Sequence, residues 1–283
     1  MRRAWLPALA GLAVAAALAG AAWFALDTPV EPAPAPSSAA ASPEPGAGAS
    51  PGAEPHSVLP PSASLPVIDY YKVPEGFPAD PAPASLARLK EGLHPNTRIG
   101  VYDAPGGRPL AFLAPDILTV PITMPIAAED RGWVAVLLPS VNRTIGWTPP
   151  GDWARVPLRD QLVVRRGAHT LTWFRDDVEQ KTWPVTLGVA ATPTPLGRTF
   201  VLGRSRLRGE VYADTDVWAL GSVPDDPMSV PEGLRGAHTG IHTWHNDWAL
   251  GTDDSDGCIR LTKSGQEQLL AEIAPGTPVV VVD

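Results

Sequence analysis

A chain of 283 residues, 44% hydrophobic, can bury a core, while 34 Pro and 26 Gly predict much irregular backbone and two small folded domains on a tether. The net charge of −8 offers no footprint for nucleic acid. Cys258 is the only cysteine, which excludes an internal disulfide. It also excludes a lipidated cysteine after the N-terminal apolar run.

At the N-terminus Arg2 and Arg3 precede an uncharged run from Leu6 to Leu26, 21 residues long. At about 1.5 Å per residue a helix of that length crosses a bilayer core of about 30 Å. Residues 1–27 therefore read as a membrane anchor. Small-x-small triplets such as Ala17-Leu18-Ala19 leave a cleaved signal open. Either way the remainder is exported and, if the helix is uncleaved, tied to the membrane by it.

Residues 28–66 are mostly Pro, Ala, Ser and Gly, with Glu31, Glu44 and Glu54 as their charges and no Lys or Arg. That composition predicts a disordered, PPII-rich spacer that holds the folded part away from a membrane. Residues 67–95 read as an extended connector, with Tyr70, Tyr71 and Phe77 as apolar surface and Ser85 to Leu93 as a short helix packed loosely on the next domain.

Residues 96–155 carry short β-prone runs, Thr97 to Tyr102, Ile117 to Met124, Trp133 to Leu138 and Thr144 to Trp147, separated by Gly, Pro and Asp turns. This is a small β-barrel pattern. With Trp133, Gly146-Trp147 and the Asp130-Arg131-Gly132 turn it resembles a bacterial SH3-type module. Its Trp residues are expected to fill its own core rather than bind wall ligands.

Residues 156–283 read as a second, larger β domain with strands at Leu162 to Arg165, Thr170 to Phe174, Trp183 to Gly188 and Thr199 to Leu202. Near its end Ser264-Gly265-Gln266-Glu267 has the form of a capping box. Leu269, Leu270 and Ile273 make an apolar helical stripe, and Pro275-Gly276 stops the helix. Val279 to Val282 closes the domain as a buried strand. The fold class is thus mainly β with a short helix.

Two stretches carry the chemistry, Gly240-Ile241-His242-Thr243-Trp244 and, fifteen intervening residues after His242, Ser255-Asp256-Gly257-Cys258-Ile259-Arg260-Leu261. An unpaired thiol in an oxidising compartment is either buried as a small hydrophobe or used. Use requires a base such as His and backbone N–H groups for the developing oxyanion. Gly257 allows close approach of backbone to a substrate.

Together with Thr194-Pro195-Leu196-Gly197, these stretches resemble the L,D-transpeptidase catalytic domain of the YkuD type, a β-sandwich, over roughly Val156 to Asp283. The tether and SH3-like module suit exported actinobacterial members. The resemblance implies Cys258 as nucleophile, His242 as general base and acid, and the Thr243 carbonyl as the group orienting the imidazole. Gly257 and Cys258 N–H would be the oxyanion donors, with Gly240 and Arg260 as substrate-binding residues. Arg260 either pairs with a substrate carboxylate or holds the catalytic turn in shape.

The implied substrates are peptidoglycan stem peptides: a tetrapeptide donor and an amine acceptor for crosslinking or protein anchoring, or water in a carboxypeptidase reaction. Carbapenems are the implied inhibitors, and no cofactor is expected. One position departs from the family pattern, since Asp256 stands where His is usual. A carboxylate there disfavours thiolate and oxyanion, so Asp256, with Ser255, is expected to modulate the site. The rival reading is a wall-binding scaffold that kept the fold and lost the reaction.

His238, His242 and His245 invite a metal reading. Gly236, Thr239, Gly240 and Thr243 argue against the helix that an HxxxH pair would need, and no metal is expected. Trp218, Trp244 and Trp248 are assigned no role. A papain-like or NlpC/P60-like peptidase is disfavoured because no His follows Cys258.

Overall fold

The computed structural model describes residues 58–69, 73–139, 144–205, 212–226, 228–230, 232 and 237–283. The apolar run, the spacer up to residue 57, Tyr70, Tyr71 and Gly236 lie outside the described residues.

The N-terminal half is built from β1 (Glu91–Pro95), β2 (Ile99–Tyr102), β3 (Pro109–Leu113), β4 (Asp116–Ile117), β5 (Val120–Pro121), β6 (Met124–Asp130), β7 (Trp133–Leu137), β8 (Ile145–Thr148) and β9 (Trp153–Pro157). Seven of these form one sheet in the order β3-β2-β8-β7-β6-β1-β9, and β4 and β5 pair as a small hairpin. Trp133 is buried in it, meeting Tyr102 edge-on at 5.0 Å. Trp147 packs against the same core.

The helix expected over Ser85 to Leu93 does not form. Its end is β1, which pairs antiparallel with β9 over five residues and with β6 on its other side. A short, uncapped helix is marginal in water, and the strand buries Leu93 completely. The first sheet therefore begins at residue 91, ahead of the expected boundary at 96. The connector is not loose either, since Ile68 is buried in the first core.

The C-terminal half contributes β10 (Asp160–Arg165), β11 (Thr170–Arg175), β12 (Val178–Pro184), β13 (Leu187–Gly188), β14 (Gly197–Ser205), β15 (Val217–Leu220), β16 (Gly240–Thr243), β17 (Asp253–Ser255), β18 (Ile259–Leu261), α1 (Lys263–Glu272) and β19 (Pro278–Val282). Eight of them form a mixed sheet in the order β12-β11-β10-β19-β14-β15-β16-β18, and β13 pairs parallel with β17. Val279, Val280 and Val281 of β19 are buried between β10 and β14. A continuous β-branched run suits a central strand covered on both faces.

The two expected domains share a strand. Phe200 and Leu202 of β14 enter the first core, while Val201 between them enters the second. Alternation along one strand thus serves both sides, and both sheets belong to one compact unit. Below this seam Arg198, also on β14, donates to the Asp80 carboxylate with Nε at 2.7 Å and with Nη2.

The N-cap of α1 lies two residues before the expected one. Thr262 is the N-cap, its hydroxyl accepting from Gly265 N–H at 3.1 Å. Gln266, within the expected capping box, is fully buried and donates to the carbonyls of Asp216 and Ile241 at 2.9 and 3.0 Å. The helix is thereby tied to the back of β16.

Candidate active site

The site follows from strand register. β16 and β18 lie parallel, with Ile241 opposite Ile259, His242 opposite Arg260 and Thr243 opposite Leu261. One step back, Gly240 stands beside Cys258. Residues two apart on a strand share a face, so Gly240, His242, Cys258 and Arg260 all present to one side. Ile241, Ile259 and Leu261 present to the other and are buried in the second core. The apolar alternates anchor the strands, and the polar alternates are thereby brought into one cluster.

His242 is 5% exposed, and its Nδ1 lies 2.6 Å from the Thr243 carbonyl oxygen. A carbonyl only accepts, so Nδ1 carries the proton and Nε2 keeps its lone pair. Burial pulls the imidazole down to about 4, with Arg260 adding to the shift and the Thr243 hydrogen bond opposing it. The ring is therefore a neutral base at physiological pH.

Cys258 is half-buried. Burial pushes its thiol up, and the Asp256 carboxylate pushes it further. A hydrogen bond with the Gly240 backbone and the positive charge of Arg260 act the other way. Burial dominates, so the resting pair is thiol and neutral imidazole, not a preformed ion pair.

The turn before Cys258 is held by Ser255, which is buried. Its hydroxyl donates to the Cys258 carbonyl at 2.6 Å and accepts from Gly257 N–H at 3.2 Å. Gly257 has φ +101°, a conformation that a Cβ would strain. The oxyanion expectation is revised here, since the Gly257 N–H is directed at Ser255 in this state.

The Thr194 to Gly197 turn reaches the same place. Thr194 Oγ1 accepts from Gly188 N–H at 3.0 Å, and Thr192 Oγ1 donates to the Ser255 carbonyl at 3.3 Å. A Cβ on Gly188 would stand 2.2 Å from the Thr192 carbonyl oxygen and 2.9 Å from Gly257 Cα, so these backbones meet only because residue 188 has no side chain. The three separated motifs thus converge on one turn.

Arg260 is buried, donating from Nη1 to the Asp254 carbonyl at 2.6 Å, with the Asp254 carboxylate at 3.7 Å. Its guanidinium carbon lies 3.7 Å from the centre of the Trp244 ring, within cation–π range. Nε is buried without a hydrogen-bond partner. These contacts hold the turn in shape and leave the Nε donor unengaged.

Two residues that sequence reasoning passed over belong to the cluster. Trp244, two positions beyond His242, stacks on Arg260 and lies 6.0 Å from the His242 ring; the same strand alternation that pairs His242 with Arg260 was a usable signal. Tyr212 meets His242 edge-on at 5.2 Å, and its carbonyl accepts from the Thr243 hydroxyl. Nothing in its sequence surroundings marks it.

Trp218 is buried in the second core and Trp248 is 73% exposed. His238 is buried with Nδ1 at the Leu220 carbonyl, and His245 is exposed. Asp256 is half-buried beside the nucleophile.

Residues 159–281 match the model of the L,D-transpeptidase catalytic domain, YkuD. The Bacillus subtilis (strain 168) protein YkuD, whose name describes it as an L,D-transpeptidase, is 28% identical over 120 residues, 42% of this chain and 64% of that protein. The match thus spans less than two thirds of that relative's length. Among solved structures, an L,D-transpeptidase from Mycobacterium smegmatis aligns with 17% identity over 56% of this chain and 82% of that one, TM-score 0.36. The transpeptidase LdtMt1 in complex with imipenem aligns with 17% identity over 53% and 90%, TM-score 0.35. Residues 159–281 are thus similar to the L,D-transpeptidase catalytic domain of the YkuD type.

Proposed function

We propose that the protein is an exported peptidoglycan L,D-transpeptidase that works through a Cys258 thioester. The observation that carries this reading is the His242 tautomer. With Nδ1–H held by the Thr243 carbonyl, Nε2 is free to take a proton on the face that β16 shares with Cys258.

As Sγ attacks the carbonyl of an L,D-peptide bond in a stem tetrapeptide, its proton passes to His242 Nε2. The C–N bond breaks, the proton goes to the leaving amine, and a terminal D-residue departs. An acceptor amine then attacks the thioester, the C–S bond breaks, and Sγ is reprotonated through His242. Water in place of the amine gives carboxypeptidase activity. Arg260 offsets the negative charge that develops at sulfur, and Cys258 N–H serves the oxyanion, joined by Gly257 N–H if Ser255 releases it.

The test is to incubate the full-length protein with a synthetic stem tetrapeptide and a diamino-acid acceptor and to follow products by mass spectrometry. A crosslinked product with loss of the D-residue, absent for Cys258→Ala, is expected. A folded wild type that releases no D-residue would leave the scaffold reading instead.

A further inference from the structure

The geometry points to Asp256 as the residue that selects a positively charged amine as the acyl acceptor, by docking its ammonium beside the Cys258 thioester; this rests on the transpeptidase reading above.

Asp256 stands two residues before the nucleophile and is half-buried. Among the described residues its carboxylate makes no hydrogen bond and no ion-pair contact. Arg260, whose charge reaches Asp256, is directed instead at Asp254 and stacked on Trp244. An acidic side chain next to a thiol nucleophile opposes formation of thiolate and oxyanion, and here Arg260 acts on it only at a distance, with no side chain paired to it directly. A charge that hinders the first half of a reaction is useful only if it helps the second.

The second half brings a cation. An acceptor amine arrives at neutral pH as ammonium, and a carboxylate with no partner of its own gains by pairing with it. Partial exposure leaves room for that approach. The docked ammonium gives one proton to solvent through His242, and the amine forms the C–N bond. The second nitrogen proton passes through His242 to Sγ as the C–S bond breaks, so amide, free thiol and one released proton result. Asp256 acts by binding before this step.

Opposite signs in the two half-reactions test the assignment. With full-length protein and a synthetic stem tetrapeptide donor, Asp256→Asn is expected to speed acylation about two- to fivefold by removing the like charge. It is expected to raise the KM for glycinamide, an ammonium at neutral pH, about five- to tenfold. Capture by hydroxylamine, which is uncharged at that pH, stays within about twofold, and Asp256→Glu restores the glycinamide KM. In wild type, about tenfold more salt raises the glycinamide KM and leaves hydroxylamine capture unchanged.

A variant that acylates normally and treats both nucleophiles as wild type does would overturn the proposal, as would a salt-independent glycinamide KM in wild type. If wild type forms no acyl-enzyme, the transpeptidase reading itself fails and this inference falls with it.

Discussion

His242→Gln is expected to slow acylation of Cys258 by about 10²- to 10⁴-fold, the usual loss when a positioned general base is removed. Glutamine has a similar length but no basic nitrogen, and the thiol it faces is held protonated by burial. Without a base, attack must wait for the small thiolate fraction. The pH profile makes the test specific. The imidazole titrates at about 4 in the folded protein, so the acid limb of kcat/KM falls there and not near the ordinary histidine value. An acid limb centred near the ordinary value would contradict this burial.

The same shift bears on stability. The folded pKa, about 4, lies below the ordinary 6.5, so between those values the unfolded chain binds a proton that the native chain excludes. The contribution of a neutral His242 is fully present above pH 6.5 and is lost as pH falls through 4, by about 3 kcal/mol in all. His242→Gln removes this part of the acid destabilisation. Urea titrations of both proteins across that pH range would show wild type losing more stability than the variant.

Asp80→Ala is expected to destabilise the fold by about 3–5 kcal/mol, the cost of leaving a buried charge without its partner. The side chain of Arg198 is 5% exposed and that of Asp80 is fully buried. Against a typical total of about 5–15 kcal/mol this is a large fraction. The double variant Asp80→Ala with Arg198→Met removes both charges and should recover most of the loss, read as a shifted urea midpoint at constant slope. A double variant no more stable than the single one would mean that packing, not the stranded guanidinium, sets the cost.

Asp80 and Arg198 also mark the limit of what was legible in the chain. They stand 118 positions apart, and no local pattern pairs an acid from a Pro-rich connector with a base on a core strand. Strands that are continuous apolar, β-branched runs, such as Trp133 to Leu137 and Val279 to Val282, were readable because their burial follows their own composition. Glu91–Pro95 was not, because its conformation depends on ladders with Trp153–Pro157 and Met124–Asp130 that override local helical preference. The β14 seam was hidden for the same reason, since one apolar strand gives no sign that it faces two cores.

The candidate site was more legible than the fold around it. Cys258, His242 and the Thr194 to Gly197 turn carry residue types whose chemistry is recognisable at a distance, and the parallel register of β16 and β18 brings His242 and Cys258 to one face. The role of Ser255 as a clamp on Gly257 N–H, and of Tyr212 and Trp244 against His242 and Arg260, depends on side-chain directions that spacing alone does not supply.

The most direct test of a nucleophilic Cys258 is intact-mass spectrometry of the full-length protein after incubation with a carbapenem, in parallel with Cys258→Ala. One covalent adduct per wild-type chain, absent from the variant and slowed in His242→Gln, is the predicted result. An unmodified wild type under reducing conditions, with its thiol shown to be free, would contradict the account.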